Sequence, residues 1–106
     1  MKLPLKLTIC GKVYKIIRKD LGGGEFCLGD QRIVIGTRWS DEVQFETFIH
    51  EIMEVILAEK DFRYSREVDQ RTNGDYLFSF NHKEFENAMD EFSYVLRQVY
   101  GFKIKK

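Results

Sequence analysis

The stretch from Ser40 to Lys60 constrains the fold more than any other. Its apolar residues recur at Phe45, Phe48, Ile49, Ile52, Met53, Val55 and Ile56. At 100° per residue these occupy an arc of roughly 160°, the pattern of an amphipathic helix with a broad core-facing side. Ser40 or Asp41 is suited to cap it, and the acids of its first turn complement the helix dipole. A helix over about 41–60 is therefore predicted. It must bury its apolar face against a sheet or a second helix.

The remaining segments supply both. Residues 5–9 (LKLTI) and 12–17 (KVYKII) flank Cys10-Gly11 and read as a hairpin. LGGGE at 21–25 is a flexible turn, not a phosphate loop, because neither Lys-Ser/Thr nor a helix follows it. Residues 25–30 and 31–37 predict a second hairpin over Gly29-Asp30. A third is predicted over Asn73-Gly74, with Tyr76, Phe78 and Phe80 alternating to one side. Asn81 with Glu84 makes a capping box for a last helix over about 82–100, closed by Gly101. Its apolar face runs through Phe85, Ala88, Met89, Phe92, Val95, Leu96 and Val99. The sum is one α+β domain over residues 1–106: a small, mostly antiparallel sheet of hairpins packed on two main helices.

Zero net charge and 43% hydrophobic residues fit a folded domain with no overall attraction to nucleic acid or an anionic membrane. Residues 1–19 carry six bases and no acid, but lack the interleaved aromatics of a nucleic-acid surface. No run is long and apolar enough for a membrane helix or a signal-peptide core, so a cytoplasmic, non-membrane protein is expected. Cys10 and Cys27, far apart and outside any CxxC, are expected to be reduced, half-buried strand residues.

The polar side of the first helix carries the chemistry. His50 and Glu54 lie one turn apart and about 40° apart in angle, with Glu51 about 100° round from His50. No Lys or Arg occurs between positions 43 and 58, although Glu46, Glu51 and Glu54 all fall there. Carboxylates drawn out of water need positive charge, and a divalent cation is one source. The other reading is a buried helix that tolerates three polar residues. For a metal, His50 and Glu54 supply two ligands from one face, and Glu51 reaches a water on the ion. The chain's other histidine, His82, opens the second helix and completes a two-imidazole, one-carboxylate set; otherwise it is an exposed first-turn residue. Glu86, four residues on, is a rival ligand or a partner orienting His82.

TFIHEIMEVIL at residues 47–57 resembles the TLLHEIIEAI or TLLHELLHAI helix of short HExxH zinc metallopeptidase-like proteins, many of them encoded by phages and prophages. The resemblance extends to the I-x-I strand at 32–36 and to FNHKEFENAMDEFSYVLRQ, covering about residues 25–100. It implies a minimal zincin core with His50, Glu54 and His82 as zinc ligands and Glu51 as general base. The commoner pattern has histidine at the position of Glu54. The carboxylate makes the bound water less acidic and brings Fe(II) or Mn(II) into range beside zinc.

The implied reaction is peptide-bond hydrolysis. Zinc supplies an acidified water, and Glu51 takes its proton and returns it to the leaving amine. A peptide substrate would add to a sheet edge, with residues 32–36 the expected strand. The alternative is a non-enzymatic accessory, assembly or interaction protein on the same fold, with a structural metal or none.

Overall fold

The structure, a computed structural model, describes residues 1–65 and 76–101, with backbone only at 63–65, 76 and 77. It contains strands β1 (Lys6–Ile9), β2 (Lys12–Lys19), β3 (Gly24–Cys27) and β4 (Arg32–Gly36), then helix α1 (Asp41–Glu59), strands β5 (Arg63–Ser65) and β6 (Tyr76–Phe78), and helix α2 (His82–Tyr100). The α+β class, both helices and the strand pairs are as the sequence predicts. The Asn73-Gly74 turn lies outside the described residues.

The main sheet has the order β1-β2-β4-β3. The β1–β2 and β3–β4 pairs are antiparallel hairpins, but β2 and β4 run parallel, with Ile16 opposite Ile33 and Arg18 opposite Ile35. The sheet is therefore mixed. This overturns the expectation that residues 32–36 form an exposed edge, because β4 is central. Ile33, Val34 and Ile35 are all buried, two on the helix-facing side and one on the other. Such an unbroken β-branched run suits a strand covered on both faces.

Leu7, Ile9, Tyr14, Ile16, Ile33 and Ile35 form the sheet's side of the core. Phe48, Ile52, Val55 and Ile56 come from α1, and Ala88 and Val95 from α2. Burying each large aliphatic or aromatic side chain contributes about 2 kcal/mol, which makes this layer the main source of stability. The α2 stripe is less covered than its spacing predicts: Phe85 and Met89 stay largely exposed at the helix's N-terminal half. There Phe85 stacks on Phe80, which in turn meets Phe62 at 6.0 Å between centroids.

Caps follow the sequence. The Ser40 side chain accepts from the Val43 N–H, and Asn81 with Glu84 forms the reciprocal capping box. Gly101 ends α2 in the left-handed region. Cys10, expected in a strand, instead occupies the β1–β2 turn with φ +51°, followed by Gly11 at +77°. Both cysteines are half-buried and free. The glycine-rich loop, expected as a flexible turn, is tied to its neighbours by backbone hydrogen bonds. Gly23 O accepts from the Gly36 N–H at 2.7 Å, and a Cβ on Gly36 would meet Leu21 O at 2.0 Å.

The two edges of the sheet differ. Beyond β1 stands α2, whose Gln98 carboxamide accepts from the Thr8 N–H at 2.9 Å and donates to the Thr8 carbonyl at 2.7 Å. Glu91 accepts from the Cys10 N–H at 2.5 Å. That edge is closed by side chains. At the other edge β3 is the outer strand among the described residues, and α1 packs beside it. No helix of the described residues is long and apolar enough to cross a membrane.

Candidate active site

The HExxE turn lies midway along α1, where the helix passes β3. Gly24 makes the approach possible: a Cβ there would stand 2.8 Å from Thr47 Cγ2, 2.8 Å from Val34 O and 3.3 Å from Glu51 Cγ. Only a residue without a side chain lets the strand lie this close to the helix. Glu51 is consequently only 7% exposed, at the border between the helix's apolar arc and the strand.

The direction of β3's backbone groups follows from the pairing. Gly23 and Gly36 are joined by a hydrogen bond and continue the Gly24–Ile35 register by one step. Hydrogen-bonded and non-hydrogen-bonded pairs alternate in antiparallel sheets, so the N–H and C=O of Gly24 turn away from β4. They face outward beside α1, at the level of Thr47 and Glu51.

His50 and Glu54 are together as the helical spacing requires. Nε2 of His50 is 3.8 Å from Oε1 of Glu54; the imidazole is 67% exposed and the carboxylate 17%. Two donors at tetrahedral positions on one zinc stand about 3.4 Å apart, so this pair fits two corners with a small rotamer adjustment. The chemistry also fits, since an imidazole and a carboxylate both take zinc, iron or manganese.

His82 is elsewhere. Phe45 of α1 meets Tyr100 of α2 at 6.4 Å between ring centroids, and Lys60 Nζ donates to Asn87 Oδ1, so the helices run antiparallel. His50 precedes Lys60 by ten residues and His82 precedes Asn87 by five. In antiparallel helices these offsets add, separating the histidines by roughly 20 Å along the pair. The His82 side chain is 83% exposed, with Nδ1 at 3.5 Å from Glu86 Oε1. Cap chemistry explains its place: following Asn81, it starts the helix in the solvent-facing first turn. Glu86 does partner His82, but at a site remote from the HExxE turn. Among the described residues, no three His, Cys, Asp or Glu side chains gather so as to hold a metal ion.

Gln44 was not singled out by sequence, yet it is buried two turns before Glu51 on the same helix border. Its Nε2 donates to Trp39 O at 2.7 Å and Thr37 O at 3.4 Å, while its Oε1 accepts from Arg18. Arg18 also reaches Ile35 O at 3.3 Å and Met1 O at 3.1 Å. This cluster fixes the start of α1 against the sheet and so sets the level at which Glu51 meets Gly24. The signal was present in the helical wheel, where Gln44 and Glu51 share one angle, but burial of that border depends on β3.

A second polar cluster lies at the far end of α1. Tyr14 donates to Glu59 Oε1 at 2.5 Å and Lys12 to Oε2 at 2.8 Å. Burial, then the hydrogen bond to Glu59, pushes the Tyr14 hydroxyl pKa well above its ordinary value. Burial acts to raise the Glu59 pKa, but hydrogen bonds from Lys12 and Tyr14 outweigh it and hold the carboxyl below the usual range. An apolar cavity of about 510 Å³ between the N-terminal segment, Phe45, Val99 and Tyr100 shares no lining residue with the HExxE turn.

Searches against protein-family models, curated proteins and solved structures found no match to the chain.

Proposed function

We propose that this domain is a minimal zincin-like peptide hydrolase. Its substrate peptide lies extended between the outer edge of β3 and α1, His50 and Glu54 hold the metal, and Glu51 is the general base. One observation carries the reading: Gly24 of the outer strand lies against Glu51 and Thr47 of the HExxE helix. A peptide pairing with Gly24 would run past the turn that bears both donors and the base. The resemblance of TFIHEIMEVIL to metallopeptidase helices points the same way.

Zinc, or iron or manganese in its place, supplies an acidified water when bound. The chain's own residues have distinct tasks. His50 and Glu54 fix the ion on one helical turn. Glu51, shielded by β3, is a carboxylate kept from bulk water, suited to take a proton from that water and pass it to the leaving amine. Gly24 aligns the substrate backbone.

A second reading has its own support. His82 does not join His50, and the described residues contain no three-donor cluster. A domain that binds an extended peptide along β3 without cleaving it, as an accessory or interaction protein, meets both facts.

The deciding experiment measures zinc stoichiometry of untagged protein and cleavage of a quenched fluorescent peptide library, for wild type and Glu51→Gln. The hydrolase reading expects turnover that needs zinc and falls at least a hundredfold in Glu51→Gln while zinc binding persists. Peptide binding without zinc-dependent turnover would establish the interaction reading instead.

A further inference from the structure

The chain's one tryptophan is exposed and yet held in place. Trp39 immediately precedes the cap Ser40 and is 57% exposed. Its indole lies against Gly22, where a Cβ would come within 2.8 Å of Nε1 and 3.1 Å of Cε2. Its carbonyl accepts from the buried Gln44, and the next residue back, Arg38, is tied to Leu21 O at 3.3 Å and Asp20 at 3.1 Å. The ring is thus backed by a glycine on a braced backbone, with much of its surface in water.

The usual structural use for an apolar residue here is absent. A residue just before an N-cap commonly packs on the fourth helical residue as a hydrophobic staple. In α1 that residue is Gln44, whose amide is engaged with backbone carbonyls and Arg18. The exposed indole therefore does not serve as a staple.

Its location gives it another role. Gly22, on which the ring rests, is two residues before Gly24, where β3 meets Thr47 and Glu51. On α1, Val43, Thr47, His50 and Glu54 share one stripe by helical spacing, beginning one turn inside the cap, and Thr47 of that stripe meets β3. Val43 is itself 41% exposed. Trp39 stands at the end of this stripe, its ring against Gly22, two residues before Gly24 in sequence.

We propose that Trp39 is a specificity residue: it forms the subsite for a bulky apolar side chain of an extended peptide, close to the residue that pairs with Gly24. This rests on the reading that a peptide lies along β3, whether or not it is cleaved. A half-exposed tryptophan backed by a glycine offers a large contact area with few rotatable bonds, and tryptophan is enriched among the residues that carry most of the binding energy at interfaces.

The test uses labelled octapeptides of alternating Thr and Ala, with one Phe moved through each position. Affinity is read by anisotropy and contact by emission of the single tryptophan. One Phe position is expected to bind about tenfold tighter than the parent and to shift the emission. Trp39→Ala should cut that gain to within twofold. Gly22→Ala, which displaces the ring without removing it, should also reduce the gain, and unchanged melting temperatures would show both variants folded. A Phe preference unaltered in Trp39→Ala would overturn the inference and leave the β3 reading standing. No binding of any peptide to the wild type would overturn both.

Discussion

Gln98 and Thr8 exchange two hydrogen bonds across the outer side of β1, the carboxamide copying the pattern of a neighbouring strand. An unpaired strand edge is a template for self-association, and a side chain that mimics a strand removes it. Gln98→Leu keeps the size and deletes both bonds. The expected cost is about 1–2 kcal/mol, seen as a lower midpoint in urea unfolding, together with concentration-dependent dimers in light scattering. A variant that stays monomeric at full stability would show that α2 guards this edge by bulk alone.

At the opposite edge Gly24 does the reverse work, keeping β3 close to α1. Gly24→Ala places a methyl 2.8 Å from both Thr47 Cγ2 and Val34 O. The helix must move outward at a cost of about 1–3 kcal/mol. Peptide binding should weaken more than tenfold, because strand and helix no longer present a common groove. Isothermal titration with the octapeptides, beside a thermal melt, separates the two effects.

Zinc binding should follow the HExxE turn and ignore the second helix. His50→Ala is expected to abolish zinc uptake in titration, and Glu54→His to tighten it at least tenfold by supplying a second imidazole. His82→Ala should leave affinity within twofold, since its ring is far along the helix pair. Loss of zinc in His82→Ala would instead restore the three-ligand site that the resemblance implies. Chelation should barely shift the melting temperature, as the core carries the stability.

Tyr14 and Glu59 give the stability curve two limbs. The raised Tyr14 pKa means the fold favours the neutral phenol, a contribution fully present below the ordinary value of 10.0 and lost as pH rises through the higher folded value. The lowered Glu59 pKa acts oppositely: its contribution is present above about 4.5 and lost as pH falls through the folded value. Tyr14→Phe should cost about 2 kcal/mol at neutral pH and flatten the alkaline limb. Urea midpoints from pH 3 to 11 would trace the acid limb and the onset of the alkaline one.

Much of the fold was legible because it is written in local patterns. Ser40, Asn81 with Glu84, and Gly101 mark helix ends by their own backbone chemistry, and the α1 arc names its buried residues. What escaped is non-local. The parallel β2–β4 pairing leaves no turn signature, so the run Ile33-Val34-Ile35 was the only hint that β4 is central. Burial of Glu51 depends on Gly24, twenty-seven residues earlier, and a glycine in a glycine-rich loop does not announce what it approaches. The His50–Glu54 pair was legible from the helical repeat. The position of His82 was not, because it depends on how two helices slide past each other.

The strand order has a consequence for how the chain assembles. β4 fills the gap between β2 and β3, so the outermost strand leaves the ribosome before the one that anchors it. Until β4 has emerged, the first hairpin has no partner and β3 nothing to pair with. The sheet then closes from its middle, in a step that joins segments made at different times, and α1 can dock only afterwards. A nascent chain from which β3 has emerged but β4 has not should therefore leave apolar surface open to capture by chaperones.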